Sequence, residues 1–192
     1  MTAEPVHRWP VPPPEGYTVD DLFRLPDLPP HTELIDGSLV FVSPRRDFHH
    51  LAMYVLEHGL RKTVPSDLRV RREMTVVLEP RQCPEPDLSV VRAEAFTGLD
   101  QTFHKAADVV LAVEVVSPDS EKRDRERKPQ LYAEAGIPHF WLVENERGRP
   151  VVYVYELDPV GRSYALTGIC HERLKLSSPF DIDIDLTEID RL

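Results

Sequence analysis

Cysteine is scarce in this chain. Two thiols among 192 residues, Cys83 and Cys170, make neither a disulfide framework nor a zinc site. A reduced, cytoplasmic protein is the expectation that follows. Long apolar runs are missing as well: nothing approaches the roughly 18 consecutive apolar residues of a membrane-crossing helix. The opening segment MTAEPVHRWPVPPPEG has no apolar stretch of the kind a secretory leader needs, so no signal peptide is expected. Positive charge is in deficit. Against 33 acidic residues stand 23 lysines and arginines, a net charge of −10. That balance argues against wrapping a long stretch of nucleic acid without specificity. It leaves room for a small basic patch, or for an acidic pocket neutralised by a metal ion. No internal repeat is visible, and no linker divides the chain.

What is present suits one globular domain: 41% hydrophobic and 29% charged residues in a chain of ordinary domain length. The first 30 residues hold 8 of the 19 prolines. Residues 1–16 therefore read as an extended Pro-rich arm, and residues 17–192 as a single domain. Thr18-Val-Asp-Asp-Leu-Phe has the form of a capped helix start that must stop before Pro26. Asp36-Gly37 between two apolar runs signals a hairpin. Residues 47–62 read as a helix with Asp47 as N-cap and apolar positions at Leu51, Tyr54, Val55 and Leu60. Residues 68–79 and 86–91 read as strands. Val109–Val116 is apolar on both faces except at Glu114, the pattern of a doubly covered central strand. A polar stretch, 117–128, leads to a helix that Gly136 ends. His139–Val143, Val151–Glu156 and 163–168 follow as strands, and the alternating tail Phe180–Leu186 reads as an edge strand with one wet face. The fold class expected is α/β, one curved mixed β-sheet flanked by helices.

Glu114 is the most informative residue. A carboxylate in an apolar central strand costs several kcal/mol unless it is paired or bound to a metal. The plainer reading is a buried ion pair with an arginine. Asp87, in Pro86-Asp87-Leu, puts a second acid at the start of another apolar strand. Alone it reads as an ordinary turn aspartate. Together, two hard oxygen donors on neighbouring strands suit Mg²⁺ or Mn²⁺. Between Lys122 and Lys128 there are five basic and two acidic residues. Such a run is usually a solvated face, but it is also a patch that can meet phosphates.

In this order the chain carries Glu33-Leu-Ile-Asp-Gly, His50, Pro86-Asp87-Leu, Glu114-Val-Val-Ser-Pro, and Asp124…Lys128…Tyr132-Ala-Glu-Ala-Gly-Ile-Pro-His-Phe-Trp-Leu-Val. The set resembles the Uma-type family of bacterial restriction-endonuclease-like proteins, within the PD-(D/E)XK nuclease superfamily. The resemblance spans roughly residues 17–157, and 114–143 is its most specific part. It implies a restriction-endonuclease-like core and a nuclease that hydrolyses phosphodiester bonds of DNA with Mg²⁺ (or Mn²⁺). By the same resemblance, Asp87 and Glu114, with the Val115 carbonyl, would bind the metal. Glu33 would be an accessory acid, and Lys128 would assist the attacking water. It further implies DNA as partner; a homodimer is the expectation from the commonness of symmetric dimers, and no membrane is expected from the missing apolar run. Val116 departs from the superfamily pattern, which has lysine there, and Lys128 on the following helix matches the relocated amine. Pro129 disfavours helical geometry at Lys128, so a helix start or kink is expected there.

Two other functions stay open. One is a catalytically inactive nucleic-acid or protein binding module that retains the fold. The other is a hydrolase of a different phosphodiester. Smaller signals have plain readings beside functional ones. His50 is a surface or capping histidine, or a site contact by the resemblance. Tyr132 is core packing with a polar tip, or a hydrogen bond into the site. Arg69, Arg71 and Arg72 are a solvated strand edge, or phosphate contacts. Asp181, Asp183 and Asp185 are a wet edge, or a loose cation site. The apolar strand Val151–Tyr155 and the Pro-rich arm are the segments offered for contact with a second chain.

Overall fold

The structure, a computed structural model, describes residues 11–192. Most of the Pro-rich arm, residues 1–10, lies outside the described residues. Its end is tied down: Gly16 N–H donates to the Pro13 carbonyl, and Tyr17 N–H donates to the Gly37 carbonyl. Helix α1 (Val19–Arg24) opens with a capping box, in which Thr18 Oγ1 accepts the Asp21 N–H and the Asp21 carboxylate accepts the Thr18 N–H. The Asp36-Gly37 hairpin joins β1 (Glu33–Ile35) to β2 (Ser38–Val40). Both turn residues have positive φ, 51° and 72°, as a type I′ turn requires.

Helix α2 (Asp47–Thr63) differs from the expectation in two respects. Its N-cap is Arg46, without a side-chain cap, and Asp47 lies inside the first turn, where a carboxylate favours the helix dipole. Of the apolar positions expected, Val55 and Leu60 are buried and Leu51 packs against the core, beside His49, Ala52, Met53 and Leu56; Tyr54 is exposed and stacks on His58.

Segment 68–79 is not one strand. Glu73 adopts φ 48° and splits it into β3 (Leu68–Arg72) and β4 (Thr75–Val77). After β5 (Leu88–Arg92) and β6 (Phe103–Lys105) comes β7 (Val109–Val115). A π-helical turn (Arg123–Arg127) then runs directly into α3 (Lys128–Glu134). The remaining strands are β8 (His139–Glu146), β9 (Arg149–Asp158), β10 (Ser163–Cys170), β11 (Arg173–Leu176) and β12 (Ile182–Asp185).

A six-stranded mixed sheet in the order β10-β9-β8-β7-β5-β3 organises the molecule. The β7–β8 pair is parallel, joined by the π turn and α3 as crossover, and the other pairs are antiparallel. One face of the sheet packs against α2 and the β11–β12 pair through Val70, Leu88, Leu111, Val113, Trp141 and Val152. The other buries Ala112, Phe140 and Leu142 with Tyr132 of α3. Because both faces are covered, the inner strands read as near-continuous apolar runs. β9 sits between β8 and β10, with both edges paired. The expectation that Val151–Tyr155 reaches a second chain is therefore corrected: Val151, Val152 and Val154 are core.

Candidate active site

Alternation along β7 aims Glu114. Leu111, Val113 and Val115 face α2, and Ala112 faces the opposite side, so Glu114 projects toward α3. On α3, Lys128 and Tyr132 stand one turn apart on the same face. Both reach Glu114: Lys128 Nζ lies 2.9 Å from Oε2, and the Tyr132 hydroxyl donates to Oε1 at 2.6 Å.

The helix start expected at Lys128 is present, since α3 begins there, but the chain before it is already helical. Lys128 is helical, with φ −60° and ψ −44°, and the preceding turn widens to a π turn closed by Lys128 N–H to the Arg123 carbonyl. Proline crowds the turn before it, and the wider turn relieves that crowding while keeping Lys128 in the helix.

Lys128 Nζ also lies 2.8 Å from Glu33 Oε1 and 3.6 Å from Asp124 Oδ1. Glu33 is held by the Glu85 N–H at 2.8 Å, and Asp124 by the Ser120 hydroxyl. Asp87, immediately before β5, accepts the Val115 N–H on Oδ2 at 2.6 Å. Its Oδ1 accepts from the Arg45 guanidinium and lies 3.3 Å from His49 Nε2. Glu33, Asp87, Glu114 and Asp124 are 1–3% exposed, and Lys128 is 4% exposed.

Thus Glu33, Asp87, Glu114, Val115 and Lys128 all line one cleft. Three further residues belong to the site that the sequence did not single out as site residues: Arg45 and Asp124 line the cleft, and His49 meets Asp87 from the neighbouring cavity. His50 does not join. It is exposed, and its neighbour His49 is the histidine that meets Asp87. Asp124 was legible in principle, since it stands four residues before Lys128 within the same helical run. Arg45, in the loop before α2, carries no sequence signal.

Electrostatics follow from burial and from the imbalance of charge. Burial pushes Glu114 well above the usual carboxylate range; Lys128 opposes this, and the neighbouring acids add to it. Burial also raises Asp124. For Asp87, burial is outweighed by the His49 hydrogen bond and by the charges of His49, Arg45 and Lys128, so its carboxyl is held below the usual range. Burial alone would lower Lys128, but Glu114, Glu33, Asp124 and Asp87 together hold the ammonium well above the ordinary lysine value.

The donor set fits a hard divalent cation in type and in charge. Carboxylate oxygens of four buried acids converge on a cleft whose cationic lining residues are Lys128, Arg45 and Arg123. The cavity there, about 30 Å³, is large enough for a cation or a water. Among the described residues, no group of three or more His, Cys, Asp and Glu forms a metal centre by itself. A Mg²⁺-type ion, which keeps several waters, would complete its shell with water and substrate oxygens.

The alternating acidic tail keeps its plain reading as a wet edge. Asp183 pairs with Arg173 at 2.6 Å, and Asp185 caps Thr187. Burial pushes the Cys83 thiol up to about 12. No helix among the described residues is long and apolar enough to cross a membrane.

A family model described as “Uma2: Putative restriction endonuclease” matches residues 19–187. Among solved structures, the chain is similar to a “putative nuclease belonging to DUF820” from Anabaena variabilis. The TM-score is 0.64 at 15% identity, covering 90% of this chain and 96% of that one. At that identity the likeness speaks for the fold. No curated protein matches the chain.

Proposed function

The chain belongs to the Uma2 family, described as putative restriction endonucleases, and from that premise we propose that it is a metal-dependent nuclease hydrolysing phosphodiester bonds of DNA. The observation that carries this reading is the convergence of Asp87, Glu114, Glu33 and Lys128 from four separate segments on one buried, over-acidic cleft. An ion-pair network serving stability alone would balance its charges; this cleft is lined by Glu33, Glu85, Asp87, Glu114, Asp119 and Asp124 against Lys128, Arg45 and Arg123, six acids against three cations.

Asp87 and Glu114, with the Val115 carbonyl, would hold Mg²⁺ or Mn²⁺. When bound, the ion acidifies a water and neutralises charge on the scissile phosphate. The protein's own residues do the rest. Arg45, His49 and the Val115 N–H fix Asp87 as an anion. Tyr132 fixes Glu114. Lys128, protonated across the physiological range, directs N–H donors to the charge that develops on the phosphoryl oxygens, or orients the attacking water. Glu33 and Asp124 hold that ammonium in place.

The test is cleavage of supercoiled plasmid with Mg²⁺ or Mn²⁺ by the wild type, Asp87→Asn and Lys128→Met. Nicking or linearisation by the wild type, abolished in Asp87→Asn of native circular dichroism, is the expected result. Full activity in Asp87→Asn overturns the assignment. A second reading, a binding module that keeps the fold without catalysis, draws on Val116, where the superfamily pattern has lysine. Tight DNA binding with no cleavage under any divalent ion would favour it.

A further inference from the structure

A second feature lies beside the cleft and takes no part in it. β3 is the outermost strand of the six-stranded sheet, and a groove runs along it, lined by Arg61, Arg69, Arg71, Arg72, Phe96 and Leu99. No acidic residue lines this groove, although the chain carries a net charge of −10. Arg61 and Arg72 share the Glu57 carboxylate at 2.8 and 3.7 Å, and Arg72 also meets Glu73 at 3.2 Å.

Arg69 and Arg71 differ. Their hydrogen bonds go to main-chain carbonyls: Arg69 to Ser66 and Leu68 at 2.6 and 2.7 Å, and Arg71 to Val70 at 3.1 Å. Arg71 also lies over the Phe96 ring, 5.8 Å from its centroid. The two guanidinium groups are thus braced by backbone and ring, with N–H groups left over for a ligand. Burial, then repulsion from Arg61 and Arg69, lowers the Arg71 pKa, as uncompensated positive charge must.

The groove leads to the acid cleft. Arg72 pairs with Leu88, next to Asp87; Glu73 N–H donates to the Asp87 carbonyl at 3.0 Å; and the Glu73 carboxylate lies 3.7 Å from Arg45. Positions 69 and 71 share a face about 7 Å apart. Two guanidinium groups on one face can each meet a different phosphate of the same strand.

We propose that the β3 groove binds the sugar–phosphate backbone of duplex DNA beside the cleavage point, with Arg69 and Arg71 each contacting a phosphate. The inference rests on the nuclease reading above and adds where the substrate is gripped. Planar guanidinium forks suit phosphate oxygens, and backbone contacts position the duplex without reading its sequence. The basic edge also explains how so acidic a protein approaches a polyanion: the attraction is local, within a screening length of about 8–10 Å at physiological salt.

The test is binding of a fluorescein-labelled DNA duplex by fluorescence anisotropy in EDTA, where cleavage cannot intervene, across a salt series. The wild type, Arg69→Ala/Arg71→Ala and Arg173→Ala, an exposed arginine of β11 outside both groove and cleft, are compared, with an RNA duplex and polyglutamate as further arms. The expected result is a fall in DNA affinity of at least tenfold for the double variant near 50 mM salt. Its log–log salt slope should be shallower by about 1.8, the loss of two phosphate contacts, while Arg173→Ala keeps the wild-type slope. Wild-type affinity and slope in the double variant overturn the proposal and leave the nuclease reading standing. Tighter capture of RNA or polyglutamate than of DNA through the same two arginines also overturns it. Failure of the wild type to bind DNA at all, together with failure to cleave plasmid, removes both.

Discussion

Lys128→Met isolates what the ammonium does among the acids. In the native protein one Nζ lies 2.8 Å from Glu33, 2.9 Å from Glu114 and 3.6 Å from Asp124, with every partner buried. Methionine fills similar volume but leaves Glu33, Glu114 and Asp124 without the ammonium that pairs them. Breaking a buried ion pair from one side costs about 3–5 kcal/mol. In a chain of this size each kcal/mol moves the melting temperature by roughly 2–4 °C, so a fall on the order of 10 °C is expected near neutral pH.

The pH dependence has a definite sign. The folded-state pKa of Lys128 is raised, so the ammonium is fully charged in both states below the ordinary lysine value and its own titration adds no pH dependence between pH 5 and 8. Glu114 and Asp124 are raised carboxyls. The folded state keeps protons that the unfolded state gives up, so they lower stability progressively as pH climbs from the ordinary carboxylate range toward their folded values. Removing Lys128 raises those values further. The deficit of Lys128→Met should therefore be largest at pH 8 and shrink toward pH 5. Urea titrations of both proteins at the two pH values read it directly. A deficit below about 1 kcal/mol, the scale of an exposed pair, or one equal at both pH values, would refute the burial argument.

Four other outcomes follow from the same geometry. Glu114→Gln removes a charge that burial disfavours, so it should hold or raise the melting temperature at pH 8 while abolishing cleavage; a large loss of stability there would contradict the raised pKa. Tyr132→Phe deletes the 2.6 Å hydrogen bond to Glu114 and should cost about 1.5–3 kcal/mol in a urea titration. His49→Ala removes a group that holds the Asp87 carboxyl down, so the acidic limb of the pH–rate profile should move to higher pH; an unmoved limb would separate His49 from Asp87 function. Gly59→Ala places a methyl 2.5–2.8 Å from three carbons of Ile184, where α2 meets β12, and should destabilise by about 1–3 kcal/mol despite the better helix propensity.

Much of the fold was readable because its signals are local. Asp36-Gly37 demands a hairpin, Thr18 and Asp21 make a capping box, and a doubly apolar run with one acid at Glu114 marks a covered strand whose acid must meet something. What escaped the sequence was set by tertiary contact. Glu73 looks like one residue of a long strand, and its left-handed conformation appears only when β3 parts from β4. Tyr54 counts among the apolar residues of α2, yet the sheet and β12 choose the buried face and leave it outside. His49 and His50 are indistinguishable as letters, and the helix phase alone turns His49 toward Asp87. Pro129 announced a disturbance at Lys128 without saying that a π turn would absorb it. Arg45 lies in a short loop with no periodicity, and it becomes a partner of Asp87 only because α2 begins beside β5.

The most direct test of the central claim is a calorimetric titration of Mn²⁺ into the wild type, Asp87→Asn and Glu114→Gln, each with and without a DNA duplex. The account predicts a Mn²⁺ site in the wild type, strengthened by the duplex that completes its shell, and lost in both variants. Mn²⁺ binding by the wild type no stronger than by Asp87→Asn, with the duplex present, would contradict it.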